Sequence, residues 1–105
     1  MPHVIGRSAS IAGILWGLPL TSPPAPDHSN KILWVSRRRV SAGSELRIRA
    51  QRMKGRRAVG RVVHRQVAGG PGPSIIDLPQ AGCWRLTLRW SGRQDRLDVR
   101  YVKRR

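Results

Sequence analysis

A chain of 105 residues carrying 21 Lys+Arg against 5 Asp+Glu, formally +16, has room for one modest core and not for two. Its hydrophobic fraction of 39% with four tryptophans is that of a globular domain, and no stretch approaches the length of apolar sequence that a membrane-spanning helix needs. One cysteine excludes an internal disulfide and a cysteine-rich metal centre, while the charge balance suits polyanionic partners or a plainly solvated basic surface. All of the basic residues except Lys31, Lys54 and Lys103 are arginine, a bias that coding composition also produces.

Residues 1–10 read as a flexible lead-in to a domain spanning 11–102, with 103–105 as a basic tail. The run Ile11-Ala-Gly-Ile-Leu-Trp-Gly-Leu-Pro-Leu20 has the length of a signal-peptide apolar region. Small residues follow at 21–26, but prolines occupy several positions around any cut there, so a first β-strand with Pro19 at an edge is the preferred assignment. Residues 21–30 form a proline-rich loop. Lys31 to Arg37 reads as a short strand containing Trp34 and running into Arg37-Arg38-Arg39. After a turn at 41–44, Leu46 and Ile48 alternate with Arg47 and Arg49. A second turn at 54–57 leads into 58–67, where Val59, Val63 and Val67 share a face with Arg61 and Arg65; a bulge near Gly60 would restore the register.

The stretch from Gly69 to Pro73 is a loop, followed by a brief strand over 74–78. The clearest pair closes the chain. Trp84, Leu86, Leu88 and Trp90 alternate with Arg85, Thr87 and Arg89; then a turn over 91–94 returns the chain through Leu97, Val99 and Tyr101. One buried and one wet face is the mark of an antiparallel sheet. Seven such segments without helical period predict an all-β fold, a single antiparallel β-sandwich of about seven strands. In the corner before the sixth strand, Pro79 ends one strand and Gly82 supplies a backbone angle that other residues disfavour. Trp16, Trp34, Trp84 and Trp90 are assigned to the core, and Cys83 is assigned as a buried structural thiol.

Pro73-Ser-Ile-Ile-Asp-Leu-Pro79 followed by Gly82-Cys-Trp-Arg-Leu86, with Lys31-Ile-Leu-Trp-Val35 upstream, resembles a group of poorly characterised bacterial proteins, often exported or lipid-anchored. The resemblance spans most of residues 13–102. It implies an immunoglobulin-like sandwich and an extracytoplasmic location, and it brings no catalytic residues with it.

No reaction chemistry assembles from the remaining residues. His3, His28 and His64 are too scattered for a metal site, and Cys83 lacks a base with an orienting partner. Asp95 and Asp98 lie among arginines, where ion pairing accounts for them. Residues 69–73 lack the Lys-Ser/Thr that a phosphate loop requires. The expectation is a non-enzymatic interaction module without cofactor or metal, whose partner is an unknown protein or a polyanion. For a polyanion the candidate residues are Arg37, Arg38, Arg39, Arg47, Arg49, Arg85 and Arg89, while Trp34, Gly82, Cys83, Trp84, Leu86 and Trp90 are structural. Convergence of the outward arginines on one sheet face would favour the polyanion; scatter around the molecule would count against it.

Overall fold

A computed structural model describes residues 2–16, 18–41 and 43–104. Gly17 in the apolar run, Ala42 in the turn and Arg105 in the basic tail lie outside the described residues, as does Met1. Among the described residues the fold is all-β, with two sheets and no helix. The strands are β1 (His3–Ile5), β2 (Ile11–Leu15), β3 (Leu20–Ser22), β4 (Lys31–Ser36), β5 (Leu46–Lys54), β6 (Arg57–Val67), β7 (Pro73–Ile75), β8 (Gly82–Trp90) and β9 (Arg93–Lys103). One sheet has the order β1-β2-β4-β7 and the other β3-β9-β8-β5-β6.

Nine strands replace the expected seven, and both additions lie near the N-terminus. Residues 3–5, within the segment expected to be flexible, pair with β2 along His3↔Ile14 to Ile5↔Ala12. The apolar run of 11–20 is not one strand. It breaks after Leu15, and β3 joins the opposite sheet, where Leu20↔Tyr101 and Thr21↔Val102 run parallel to β9. The sandwich is therefore antiparallel except at this edge. A period of two assigns faces but not sheets, so a break that moves a segment across the core leaves no mark on the alternation.

The two inner faces meet in one core. Ile11, Leu15, Ile32 and Trp34 from the smaller sheet pack with Leu46, Ile48, Trp84, Leu86, Leu88, Trp90, Leu97, Val99 and Tyr101 from the larger. Gly13 makes room for Trp34, since a Cβ there would sit 2.9 Å from the indole. Each buried tryptophan finds a partner for its indole N–H: Trp34 donates to Ser74 Oγ, Trp84 to the Gln80 carbonyl and Trp90 to Ser36 Oγ. The Tyr101 hydroxyl donates to the Ile76 carbonyl, and burial pushes its pKa well above that of an ordinary tyrosine.

Two glycine positions shape the larger sheet. Between β5 and β6 the register shifts after Ala50↔Val63 to Arg52↔Val59, leaving a bulge on β6 at Gly60, whose φ is +76°. Gly82, at φ +135°, opens β8 in a conformation that side chains avoid, with Arg52 lying against it.

Two side chains assigned to the core lie outside it. Trp16 is 49% exposed and stacks under Lys31, whose ammonium lies 5.5 Å from its ring. It follows Leu15, and continuing the alternation of Ile11, Gly13 and Leu15 puts it on the outward phase. Cys83 is exposed, not buried. It lies one residue before the inward Trp84, and β8 alternation therefore turns it outward, opposite Met53 and Arg100.

Candidate anion-binding face

The outer face of the larger sheet is built by register. In an antiparallel pair, residues directly opposite each other project from the same side. On β5, β8 and β9 the inward positions are mostly apolar, with Asp95 and Arg52 among the exceptions, which leaves the intervening residues to solvent. One row across these strands is Arg47, Arg89 and Gln94; the next is Arg49, Thr87 and Arg96; the third is Gln51, Arg85 and Asp98. Gln66 and His64 of β6 extend the first two rows, and Arg100 lies beyond the third. Thr87 thus occupies the centre of a three-by-three grid, with Arg49 and Arg96 beside it and Arg85 and Arg89 before and after it on β8.

Electrostatic compensation on this face is sparse. Arg85 Nε lies 3.1 Å from Asp98 Oδ1, and Arg47 Nε lies 2.8 Å from Glu45 Oε1. Both pairs are substantially exposed and so contribute little to stability. Arg89 Nε donates to Gln94 Oε1 at 2.8 Å. Among the described residues, the side chains of Arg49 and Arg96 make no hydrogen bond or ion pair. A hollow of about 380 Å³ lies over the grid, lined by Arg47, Arg49, His64, Thr87 and Arg89 and bordered at one end by Glu45.

The candidate residues Arg47, Arg49, Arg85 and Arg89 all lie on this face. The arginine triplet lies at its margin. Arg37 and Arg38 line a neighbouring hollow with Ser8, Ser10, Arg93 and Gln94. Gln94 belongs to both the hollow and the grid. Arg39 contributes its carbonyl, which accepts from Arg93 Nη1 at 3.1 Å. Trp34, Trp84, Leu86 and Trp90 are buried behind the face, whereas Gly82 is half-buried and Cys83 is exposed on it. Arg96, Arg100 and Thr87 were not singled out in the sequence, although their alternation with Leu97, Val99, Leu86 and Leu88 marks them as outward. His64 falls between Val63 and Arg65 on β6, on the outward phase opposite Arg49.

Asp95 was expected to pair with arginine and does something else. It is 3% exposed, and its carboxylate accepts from the backbone N–H groups of Ser8, Ser10, Ile11 and Arg96. Burial opposes its ionisation, but these four donors outweigh burial and hold its pKa below the ordinary carboxylate value. It is a clamp on the β1–β2 turn. Asp98 does pair with Arg85.

The opposite outer face, on the smaller sheet, has another character. Ile5, Ala12 and Val35 form one row, Ile14, Leu33 and Pro73 another, and Ile75 lies beside Lys31. Six arginines thus share the outer face of the larger sheet, while Arg52, Arg65 and Arg93, opposite Trp84, Ile48 and Trp90, fall on its other phase. Comparison with family models, curated proteins and solved structures finds no match for this chain.

Proposed function

We propose that this chain is a non-catalytic, immunoglobulin-like sandwich module that binds polyanions through the outer face of its five-stranded sheet. The observation that carries the reading is the convergence of Arg47, Arg49, Arg85, Arg89, Arg96 and Arg100 on one face, with only Asp98 and Glu45 to offset them. Guanidinium groups present forked donors that match phosphate and sulfate oxygens. Buried Trp34, Trp84, Trp90 and Tyr101 leave this face without an aromatic platform, so contact goes through charged groups and not through stacked bases or sugar rings.

The immunoglobulin-like assignment rests on strand order. β2, β4 and β7 in one sheet and β9, β8 and β5 in the other follow the A-B-E and G-F-C arrangement, with β6 as the further strand beside C. Resemblance to exported and lipid-anchored bacterial proteins supports an extracytoplasmic location, where acidic polymers are accessible. Sequencing the N-terminus of the cellular protein in each fraction tests that location; an uncleaved chain in the cytosol would defeat it.

Binding is tested by titrating the protein against immobilised duplex DNA and heparin over a series of salt concentrations. The expected outcome is sequence-independent retention whose logarithmic affinity falls linearly with the logarithm of salt. Substituting Arg47, Arg49 and Arg89 together with glutamine should lower the slope by about two to three, one counterion per contact. An unchanged slope would place the contacts elsewhere.

A further inference from the structure

The arginine face is not uniform, and its centre differs from a charged plain. Thr87 is the hydroxyl at the middle of the grid, half-buried at the floor of the hollow, and Arg49 beside it has no internal partner. Arg47 and Arg89 line the same hollow with their Nε groups engaged, the first by Glu45 and the second by Gln94. Those two side chains are held in place by these bonds, while the remaining N–H donors of each guanidinium are unspoken for. A tetrahedral oxyanion seated above Thr87 would meet a hydroxyl donor below and guanidinium donors around it.

We infer that this hollow is a discrete site for a phosphate ester, with Thr87 and Arg49 as the anchoring pair and Arg47 and Arg89 closing around the anion. The inference rests on the polyanion reading and sharpens it from a field to a position. The volume of about 380 Å³ falls at the small end of ligand-binding cavities and exceeds what one phosphate fills. The group carrying the phosphate therefore also enters the hollow, beside His64 and Gln66. Phosphate esters are supplied both by free nucleotides and by a nucleic-acid backbone, and both present the same chemistry to Thr87. Glu45 sits at one end of the hollow, where its carboxylate excludes a second anion and limits the site to one group.

Inorganic phosphate, a nucleoside monophosphate and a short DNA duplex, each titrated into 15N-labelled protein at constant ionic strength, provide the test. The expected result is a saturable shift at the Thr87 amide and the Arg49 Nε–H, tighter for the nucleoside monophosphate than for inorganic phosphate. Saturation by the monophosphate identifies free esters as a source; the duplex shifting the same signals identifies the backbone as one. Thr87→Val keeps the net charge and should weaken the nucleotide by about tenfold, as loss of a hydrogen bond to an anion does. Arg49→Gln should do the same, whereas Arg56→Gln, in the β5–β6 turn, removes an equal charge and should change affinity by less than about twofold. Thermal unfolding of each variant establishes that it is folded.

Shifts spread evenly over the face, weakened alike by Arg49→Gln and Arg56→Gln and untouched by Thr87→Val, would overturn the site and leave charge-driven polyanion binding standing. Equal affinity for phosphate and the monophosphate would overturn the assignment to an ester. Failure of all three probes and of heparin to bind would overturn both the site and the reading beneath it.

Discussion

Replacing Trp84 with alanine removes an indole that is 2% exposed and hydrogen-bonded to Gln80, and should cost about 3–5 kcal/mol in chemical unfolding. Near-wild-type stability would contradict its place in the core. Asp95 supports a second prediction at the same scale. Its folded pKa lies below the unfolded value of ~4, so its contribution to stability is complete above that value and is lost as pH falls through the folded pKa. Asp95→Asn should remove this part of the acid-induced loss and lower stability at neutral pH by about 3 kcal/mol or more, because an amide cannot accept from four backbone N–H groups. An unfolding profile across pH 7 to 2 that matches wild type would refute the clamp. Gly6 belongs to the same device: a Cβ there would overlap the Asp95 carboxylate, so Gly6→Ala should mimic the loss of the clamp. Trp84 was legible because its neighbours alternate. Asp95 was legible only in part, since counting back from Tyr101, Val99 and Leu97 puts it on the inward phase, yet no sequence pattern shows that its partners are amides from a distant turn.

At the scale of elements, the crossing from β2 to β3 is held by Asn30. Its Oδ1 accepts from the Thr21 N–H at 2.9 Å, and its Nδ2 donates to the Thr21 carbonyl at 2.8 Å and to Asp77 Oδ1 at 2.9 Å. A side-chain amide thus bonds Thr21 on one edge as a neighbouring strand would, while β9 pairs with β3 on the other. Asn30→Ala should release two buried backbone groups of Thr21 and the half-buried Asp77 carboxylate, and cost about 2–4 kcal/mol. Hydrogen exchange should show the Thr21 amide losing protection first, with β8 and β9 amides unchanged; uniform loss across both sheets would argue against a local role. Strands β5, β8 and β9 were readable from sequence because each is long, half-buried and strictly alternating. β3 is short and buried on every residue, so it carries no alternation, and its partner on β9 lies at the far end of the chain. The β6 bulge shows the opposite case. Gly60 betrays it locally, and because the register shifts by an even number of residues, His64 stays on the outward phase that Val59, Val63 and Val67 imply.

Across the whole molecule, a formal charge of +16 on 105 residues opposes compaction, and crowding arginines on one face concentrates that repulsion. Arg49 and Arg96 flank Thr87 without an acidic partner, which no requirement of folding explains. If the face exists to bind anions, it is a place where stability is given up for function, and neutralising it should stabilise the free protein. The triple substitution Arg49→Gln, Arg89→Gln and Arg96→Gln should therefore raise the unfolding midpoint at low ionic strength by about 2–5 °C, equivalent to several tenths of a kcal/mol in a domain of this size. Added salt should close that gap, since screening removes the repulsion from the parent and leaves the variant little to gain. The same variant should lose retention on DNA and heparin under conditions where the parent binds. A solvated basic surface without a ligand predicts the stability difference but no selective loss of binding relative to three arginines removed elsewhere. Arginines that brace the sheet by packing their stems predict a lower midpoint at every salt concentration. The sign of the shift at low salt, read together with the binding loss, separates these three roles for the same set of side chains.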